Sequence, residues 1–404
     1  MNNGPLDGVI ITEFTSAWAG PYATLLLAFL GAQVIKVESQ KRLDHSRKLS
    51  FSTGKIFKGE DRSSVFNNLN LNKHGVRLNL SKPKAIEIAK KLVSKSDAVM
   101  ENMRPGVMQR LGLGYEALYQ VKPDIIYLSS SACGQKGPDN KYVGYAPTFA
   151  SLGGASFITG YEDWPPSNFT GSIDLRSGAT AASAILAALL YHQQTGEGQY
   201  IDMASQETIA VLIGEILLDY VMNNKIRMRK GNRDDFMAPH NCYKCCGDDK
   251  WISIAVATDS EWHSLCRVME KPELAECDKF SDVFSRFKNQ KEIDEIIGNW
   301  TINYDYYELT EKLQKEHVAA TPSLSSKGLF NDPHINSRNV YDQVEHPFIG
   351  KDWVLTPPWK FSDTPAKIRR HAPLFGEHNE FIFCGLLDMT KDEIKELEKE
   401  QVIY

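Results

Sequence analysis

The chain is short of the features that would place it in several broad classes. Its 404 residues carry 46 Lys and Arg against 51 Asp and Glu, a net charge of -5. That balance gives no sign of a nucleic-acid or anionic-membrane binder. The start, Met1 to Pro5, has no positively charged region followed by an apolar stretch, so no signal peptide is expected and a cytoplasmic chain is the natural expectation. The apolar run Ala17 to Ala32 is broken by Gly20 and Pro21 and falls short of the ~20 residues of a membrane span. Cysteine is odd in number, at seven, and argues for reduced thiols. His240, Cys242, Cys245 and Cys246 suggest a zinc knuckle, but no second pair stands at a matching distance, and Gly247-Asp248-Asp249 reads as a hairpin turn; no metal is expected. No internal repeat, low-complexity segment or heptad run is present.

What is present is an alternation of strands and helices. Val9 to Phe14 reads as a short apolar strand, Pro21 to Leu30 as a helix opened by a proline and stopped by Gly31, and Val34 to Val37 as the next strand, together a βαβ unit. A helix through Ala85, Ile88 and Leu92 and strands at Asp97 to Met100 and Ile125 to Ser129 repeat the pattern. The fold class is therefore α/β, a Rossmann-like parallel sheet. No Gly-x-Gly-x-x-Gly follows the first strand, so no nucleotide cofactor is expected. An Ala-rich helix, Ser177 to Gln194, a strand at Gln199 to Met203 and a helix over Ser205 to Asn223 lead to the polar stretch Asn224 to Asp235, taken as a boundary. The expected organisation is a large α/β domain over 1–225, a smaller α+β domain over 226–325 opened by a hairpin, and a tail over 326–404 closed by a helix with a Thr390–Glu393 capping box.

One carboxylate stands out. Asp174 precedes the helix expected near Ser177, where backbone N–H groups and the helix dipole are expected to lower its pKa and fix its orientation, as suits a nucleophile and equally an ordinary N-cap.

The frame around it decides between those readings. Leu6-Asp7-Gly8, Trp18-Ala19-Gly20-Pro21, Phe29-Leu30-Gly31-Ala32, Val34-Ile35-Lys36-Val37-Glu38, Asn72-Lys73 and Glu101-Asn102-Met103-Arg104-Pro105-Gly106 follow one another in order. Gly134-Gln135-Lys136-Gly137-Pro138, Thr195-Gly196-Glu197-Gly198-Gln199 and Gly376-Glu377-His378 complete the series. In these blocks the chain resembles the family III CoA-transferases (the CaiB/BaiF family) over nearly its whole length. The resemblance implies that Asp174 is the nucleophile, that Leu78, Asn102, Met103 and Arg110 hold coenzyme A, and that the C-terminal part returns to the first domain in a dimer of interlinked subunits, identical or related. Coenzyme A enters as the acyl-CoA substrate, with a carboxylic acid as its partner. Backbone N–H groups near Trp18, Ala19 and Gly20 are candidate oxyanion donors, and Tyr145 belongs to the expected substrate pocket.

Departures limit the carry-over. Met103 stands where Phe is usual, and His74-Gly75 where Arg-Ser is common. The oligoglycine loop of the formyl-CoA members is replaced by Met237-Ala238-Pro239-His240; with Trp18, Tyr145, Phe149, Phe157 and Trp164 this points to a larger or aromatic acid rather than oxalate. The rival readings are an α-methylacyl-CoA racemase, whose general base in a Gly-His-Asp motif is missing from Gly144-Tyr145-Ala146, and a supporting subunit of a heteromeric transferase.

Overall fold

The structure is a computed structural model, and it describes residues 4–48, 59–167 and 172–403. Contacts divide the chain into two compact units: residues 1–156, 168–225 and 337–404 form the first, and 157–167 with 226–336 the second. The second unit thus takes in a short piece before the long helix and extends about ten residues past the expected 325.

The first unit is built on a sheet of β1 (Ile10–Phe14), β2 (Gln33–Glu38), β3 (His74–Arg77), β4 (Ala98–Glu101), β5 (Ile126–Ser131) and β6 (Gln199–Ala204). The spatial order is β3-β2-β1-β4-β5-β6, every pair parallel. The strand order reverses between β1 and β4, and in such sheets ligands bind in the crevice beyond the carboxyl ends of the strands at that point. β1, β2 and β4 are almost entirely buried on both faces, so their apolar residues do not alternate with exposed polar ones, and the buried Glu13, Lys36 and Glu101 interrupt them. β3 was not expected from the sequence: His74-Gly75-Val76-Arg77 has one apolar side chain, and its strand geometry comes from pairing with β2 through Ile35 to Glu38.

Helix α1 (Ala19–Phe29) follows β1, α2 (Pro83–Ser94) leads to β4, α3 (Ala146–Leu152) follows β5, and α4 (Ser172–Thr195) precedes β6. α1 is buried along nearly its full length and packs against α4. α4 is long and apolar enough to cross a membrane by length and composition. Its Ile173, Ser177, Gly178, Ala181, Ala182, Ile185 and Ala188 form a buried stripe at helical spacing, which joins the α1 side of the core. The expected single helix over Ser205 to Asn223 is two, α5 (Ser205–Leu212) and α6 (Gly214–Asn223), because Ile213 leaves the helical region between them. The C-terminal segment adds an antiparallel hairpin, Tyr341–His346 with Gly350–Leu355, and closes with Lys391–Lys399, which starts on the Thr390–Glu393 capping box.

The second unit carries an antiparallel three-stranded sheet of His240–Lys244, Trp251–Ala255 and Ala319–Pro322, covered by helices over a core that includes Trp262, Leu265, Ile297 and Leu309. Cys242 lies on the first strand with its thiol 3.0 Å from the Ser253 hydroxyl. Among the described residues no group of three or more His, Cys, Asp or Glu is placed to hold a metal ion.

Candidate active site

A cavity of about 1060 Å³ opens in the first unit at the strand-order reversal, beyond the ends of β1 and β4. Its walls bring together the turn Thr15–Ala19, the segment Glu38–Lys48, Asn79–Ser81, Asn102–Met108, Ser130–Ala132, Tyr142–Pro147 and Asp174. The volume is at the upper end of small-molecule sites and suits an elongated ligand.

Asp174 lies in the first turn of α4, which begins at Ser172, earlier than the start expected near Ser177. It is thus inside the helix rather than at its cap. The reason is that Ile173 already belongs to the buried stripe, so the apolar period starts before the Ala-rich run. Its carboxyl is half-buried, and among the described residues no hydrogen bond or ion pair reaches it. Burial therefore dominates: the pKa is raised to about 6, the reverse of the expected lowering. Gly178, one turn on, sets the approach to α1; a Cβ there would lie 2.6 Å from the Ala19 carbonyl oxygen and 3.2 Å from the Ala23 nitrogen. Only a residue without a side chain lets α4 pass this close to the start of α1.

That start is held from several sides. Asn102 clamps Ser16, accepting its N–H and donating to its carbonyl, both at 2.8 Å. Gly20 is buried behind the turn rather than lining the cavity; a Cβ there would come within 2.6 Å of Thr15 and 3.0 Å of Asn102. Trp18 and Ala19 line the cavity. The first-turn amides of Ala19 and Gly20 have no partner among the described residues, as expected of helix N-termini.

Below the turn lie four buried charges that sequence reasoning did not assign. Glu13, Lys36 and Lys73 are fully buried and Asp44 is 2% exposed. Lys36 Nζ is 2.8 Å from Asp44 and 3.5 Å from Glu13, and Lys73 Nζ is 3.1 Å from Glu13. Burial alone would raise Glu13 and Asp44; the neighbouring lysines and hydroxyls outweigh it and hold both below the usual carboxylate range. Burial lowers Lys73 to about 8. Ionisable residues inside apolar strands were the available signal, since Glu13 and Lys36 pair across β1 and β2. Glu101, at the end of β4, is pushed up to about 7 by burial, with Asp202 in register two strands away; its carboxylate accepts the Met103 N–H at 2.6 Å.

The remaining expected site residues divide. Asn102, Met103 and Tyr145 line the cavity, Tyr145 71% exposed at the start of α3. Leu78 does not: its side chain is fully buried in the core with Ile35, Val37 and Val76, and its neighbours Asn79, Leu80 and Ser81 face the cavity instead. Arg110 is exposed and lies outside the lining, whereas Arg104 lines the cavity. The left-handed Gly106 starts the short helix that carries Arg110 past the cavity. Lys41, Arg42 and Lys48, exposed on the segment after β2, add cationic groups at the cavity wall that the sequence reading missed.

Comparison with known proteins places this geometry. A family profile described as CoA-transferase family III matches residues 6–379. Succinyl-CoA–D-citramalate CoA-transferase of Chloroflexus aurantiacus is 33% identical over 400 residues, covering 99% of this chain and 98% of that protein. The succinyl-CoA–L-malate CoA-transferase beta subunit of the same organism is 30% identical over 404 residues, covering 99% and 98%. Among solved structures, a CaiB/BaiF family protein from Brucella suis superposes with a TM-score of 0.85 at 28% identity, covering 95% of this chain and 100% of that one.

Proposed function

The chain belongs to CoA-transferase family III and is a transferase enzyme of that kind, and from this premise we propose that it moves CoA from succinyl-CoA to a second carboxylic acid through covalent intermediates on Asp174. The observation that carries the proposal is Asp174 itself, a carboxylate without a partner among the described residues in the wall of the cavity at the strand-order reversal. A pKa of about 6 leaves roughly nine in ten such groups ionised at pH 7 while making the carboxylate more basic, hence a better nucleophile, than one in water.

Transfer exchanges one thioester for another, so it is close to thermoneutral and needs a relay rather than an energy source. The Asp174 carboxylate attacks the donor's carbonyl carbon; the C–S bond breaks, leaving a mixed anhydride and CoA thiolate. The thiolate attacks Cγ of Asp174, releasing the donor acid as its carboxylate and leaving an aspartyl-CoA thioester. The acceptor carboxylate then attacks that thioester, and thiolate return to the acceptor acyl carbon regenerates Asp174. Each attack places negative charge on a carbonyl oxygen, for which the first-turn amides of α1 are the fixed donors in this reading. Asn102 acts in it by clamping the turn, Met103 and Tyr145 by lining the pocket, and Lys41, Arg42, Lys48 and Arg104 as partners for the phosphates of CoA.

The relatives' names, which pair succinyl-CoA with D-citramalate and L-malate, favour a dicarboxylic acceptor. A larger or aromatic acid is the second reading, favoured by Trp18, Tyr142, Tyr145 and Phe149 in the lining. A racemase is third, since Tyr145 offers no neutral-pH base where that branch has histidine. Two interlinked subunits complete the reading. It is supported by α6, which has no buried residue and leaves Val221 and Met222 each 77% exposed, and by a relative named as a subunit. A cytoplasmic setting fits the free cysteines.

The test incubates the purified chain with succinyl-CoA and a panel of dicarboxylic and aromatic acids, with hydroxylamine added as a trap. New acyl-CoA together with a hydroxamate on Asp174 is expected. Exchange that survives in Asp174→Ala rules the mechanism out, and α-proton exchange without an acceptor acid moves the chain to the racemase reading. Activity only after adding a second chain identifies a supporting subunit.

A further inference from the structure

Each of the four buried charges bonds to the turn that precedes α1 or to the first turn of that helix. Lys36 Nζ donates to the Thr15 carbonyl at 3.0 Å, and Asp44 Oδ1 accepts the Ala17 N–H at 3.0 Å. Glu13 accepts the Thr15 hydroxyl at 2.7 Å, and Lys73 Nζ donates to the Pro21 carbonyl at 2.8 Å. Asn102 takes both groups of Ser16. Between these anchors Ala17 has φ of 70°, a left-handed conformation that a side-chain-bearing residue adopts only when its surroundings impose it.

Such a cluster is a poor way to stabilise a fold. Replacing a buried ion pair with apolar side chains of similar size is often neutral or favourable, so burial of two acids and two bases under one turn calls for another use. The turn leads directly into Ala19, which lines the cavity with its amide unpaired among the described residues, and Gly178 brings α4, with Asp174 one turn before it, against the Ala19 carbonyl. We propose that Asp44 and Lys36 are positioning residues for CoA transfer: they lock the Thr15–Ala17 turn so that the first amides of α1 stay aimed at the carbonyl that Asp174 attacks. This rests on the functional reading above.

Charge arithmetic supplies the variant. Removing Lys36 and Asp44 together leaves Glu13 paired with Lys73 at 3.1 Å, so no charge is stranded. Lys36→Met with Asp44→Leu is therefore expected to fold with a melting temperature within about 5 °C of wild type. Its kcat for succinyl-CoA-dependent exchange falls at least ~30-fold, with KM for the acyl-CoA changing less than about threefold, because donors aimed at a developing oxyanion act on the transition state. Amide hydrogen exchange in peptides covering residues 15–20 speeds up at least ~10-fold while β1 stays protected. A kcat within about threefold of wild type, or unchanged protection of the turn, overturns the proposal. Should the paired variant not fold, Asp44→Ala, which removes the acceptor of the Ala17 N–H and leaves Lys36 beside Glu13, decides by the same two readouts. Wild-type protein that moves no CoA at all overturns the functional reading, and this inference with it. An active wild type with an equally active paired variant sinks the inference alone.

Discussion

Glu13 and Asp174 belong to the same unit, one at β1 and one on the helix packed across α1, yet they are opposite solutions to burying a carboxyl group. Glu13 is fully enclosed and still held below the usual range, because two lysines and two threonine hydroxyls meet it. Asp174 is less enclosed and is raised to about 6 by burial that no partner among the described residues offsets. The difference shows that partners, rather than depth, decide what a buried acid is for: a partnered carboxylate holds backbone in place, and an unpartnered one is left available for chemistry.

The largest effect should come from the unpartnered member. Asp174→Ala is expected to lower exchange by roughly a thousandfold or more while leaving thermal stability at pH 7 unchanged or higher, since the side chain removed is a desolvated acid that bonds to none of the described residues. Scanning calorimetry beside the exchange assay checks both halves, and a destabilised Asp174→Ala would break the contrast. For the partnered member the expectation is inverted. Glu13→Gln strips one charge from a balanced buried cluster and should cost about 3–5 kcal/mol in denaturant unfolding. Gly178→Ala forces a Cβ against the Ala19 carbonyl and is expected to cost about 1–3 kcal/mol, with exchange falling by more than the folded fraction does because α4 and α1 are pushed apart.

Acid titration sharpens the contrast further. Asp174 is useful only as its carboxylate, so kcat/KM is expected to drop about tenfold per pH unit below about 6. In stability the two acids run opposite ways. The raised pKa of Asp174 means the fold favours its protonated form, a contribution complete below about 3.8 and lost as pH rises through about 6. The lowered pKa of Glu13 contributes above its ordinary 4.5 and is lost as pH falls below that. The smallest effect separates two arginines: Arg104→Ala should raise KM for acyl-CoA about fivefold, and Arg110→Ala less than twofold. Equal effects would restore Arg110 to the site.

Much of this was legible in the sequence where function is carried by chain order. The βαβ opening, the turn Trp18-Ala19-Gly20-Pro21, Asn102 with Met103, and Asp174 with Gly178 all stand in motifs, and the structure brings Trp18, Ala19, Asn102, Met103 and Asp174 to the cavity wall. The two glycines act from behind it, through space they leave empty. What escaped the sequence was set by neighbours distant in the chain. The strand at His74 exists because β2 offers it hydrogen bonds, and the pKa of Asp174 is set by burial that helix-end position alone does not reveal. Leu78 and Arg110 lie outside the cavity lining for a common reason: a motif fixes where the backbone passes, while burial of the leucine and exposure of the arginine decide where each side chain goes.

The last residues of the chain are stitched into its earliest strands. Asn72 accepts backbone N–H groups from Arg369 and Arg370, Asn79 N–H donates to the Val402 carbonyl, and Ile403 is fully buried beside β3 and α2. A nascent polypeptide leaving the ribosome therefore cannot finish its first unit until residues 369–403 emerge, having meanwhile synthesised all of the second. Termination ahead of Val402 and Ile403 would leave the oldest part of the protein waiting for contacts that never arrive.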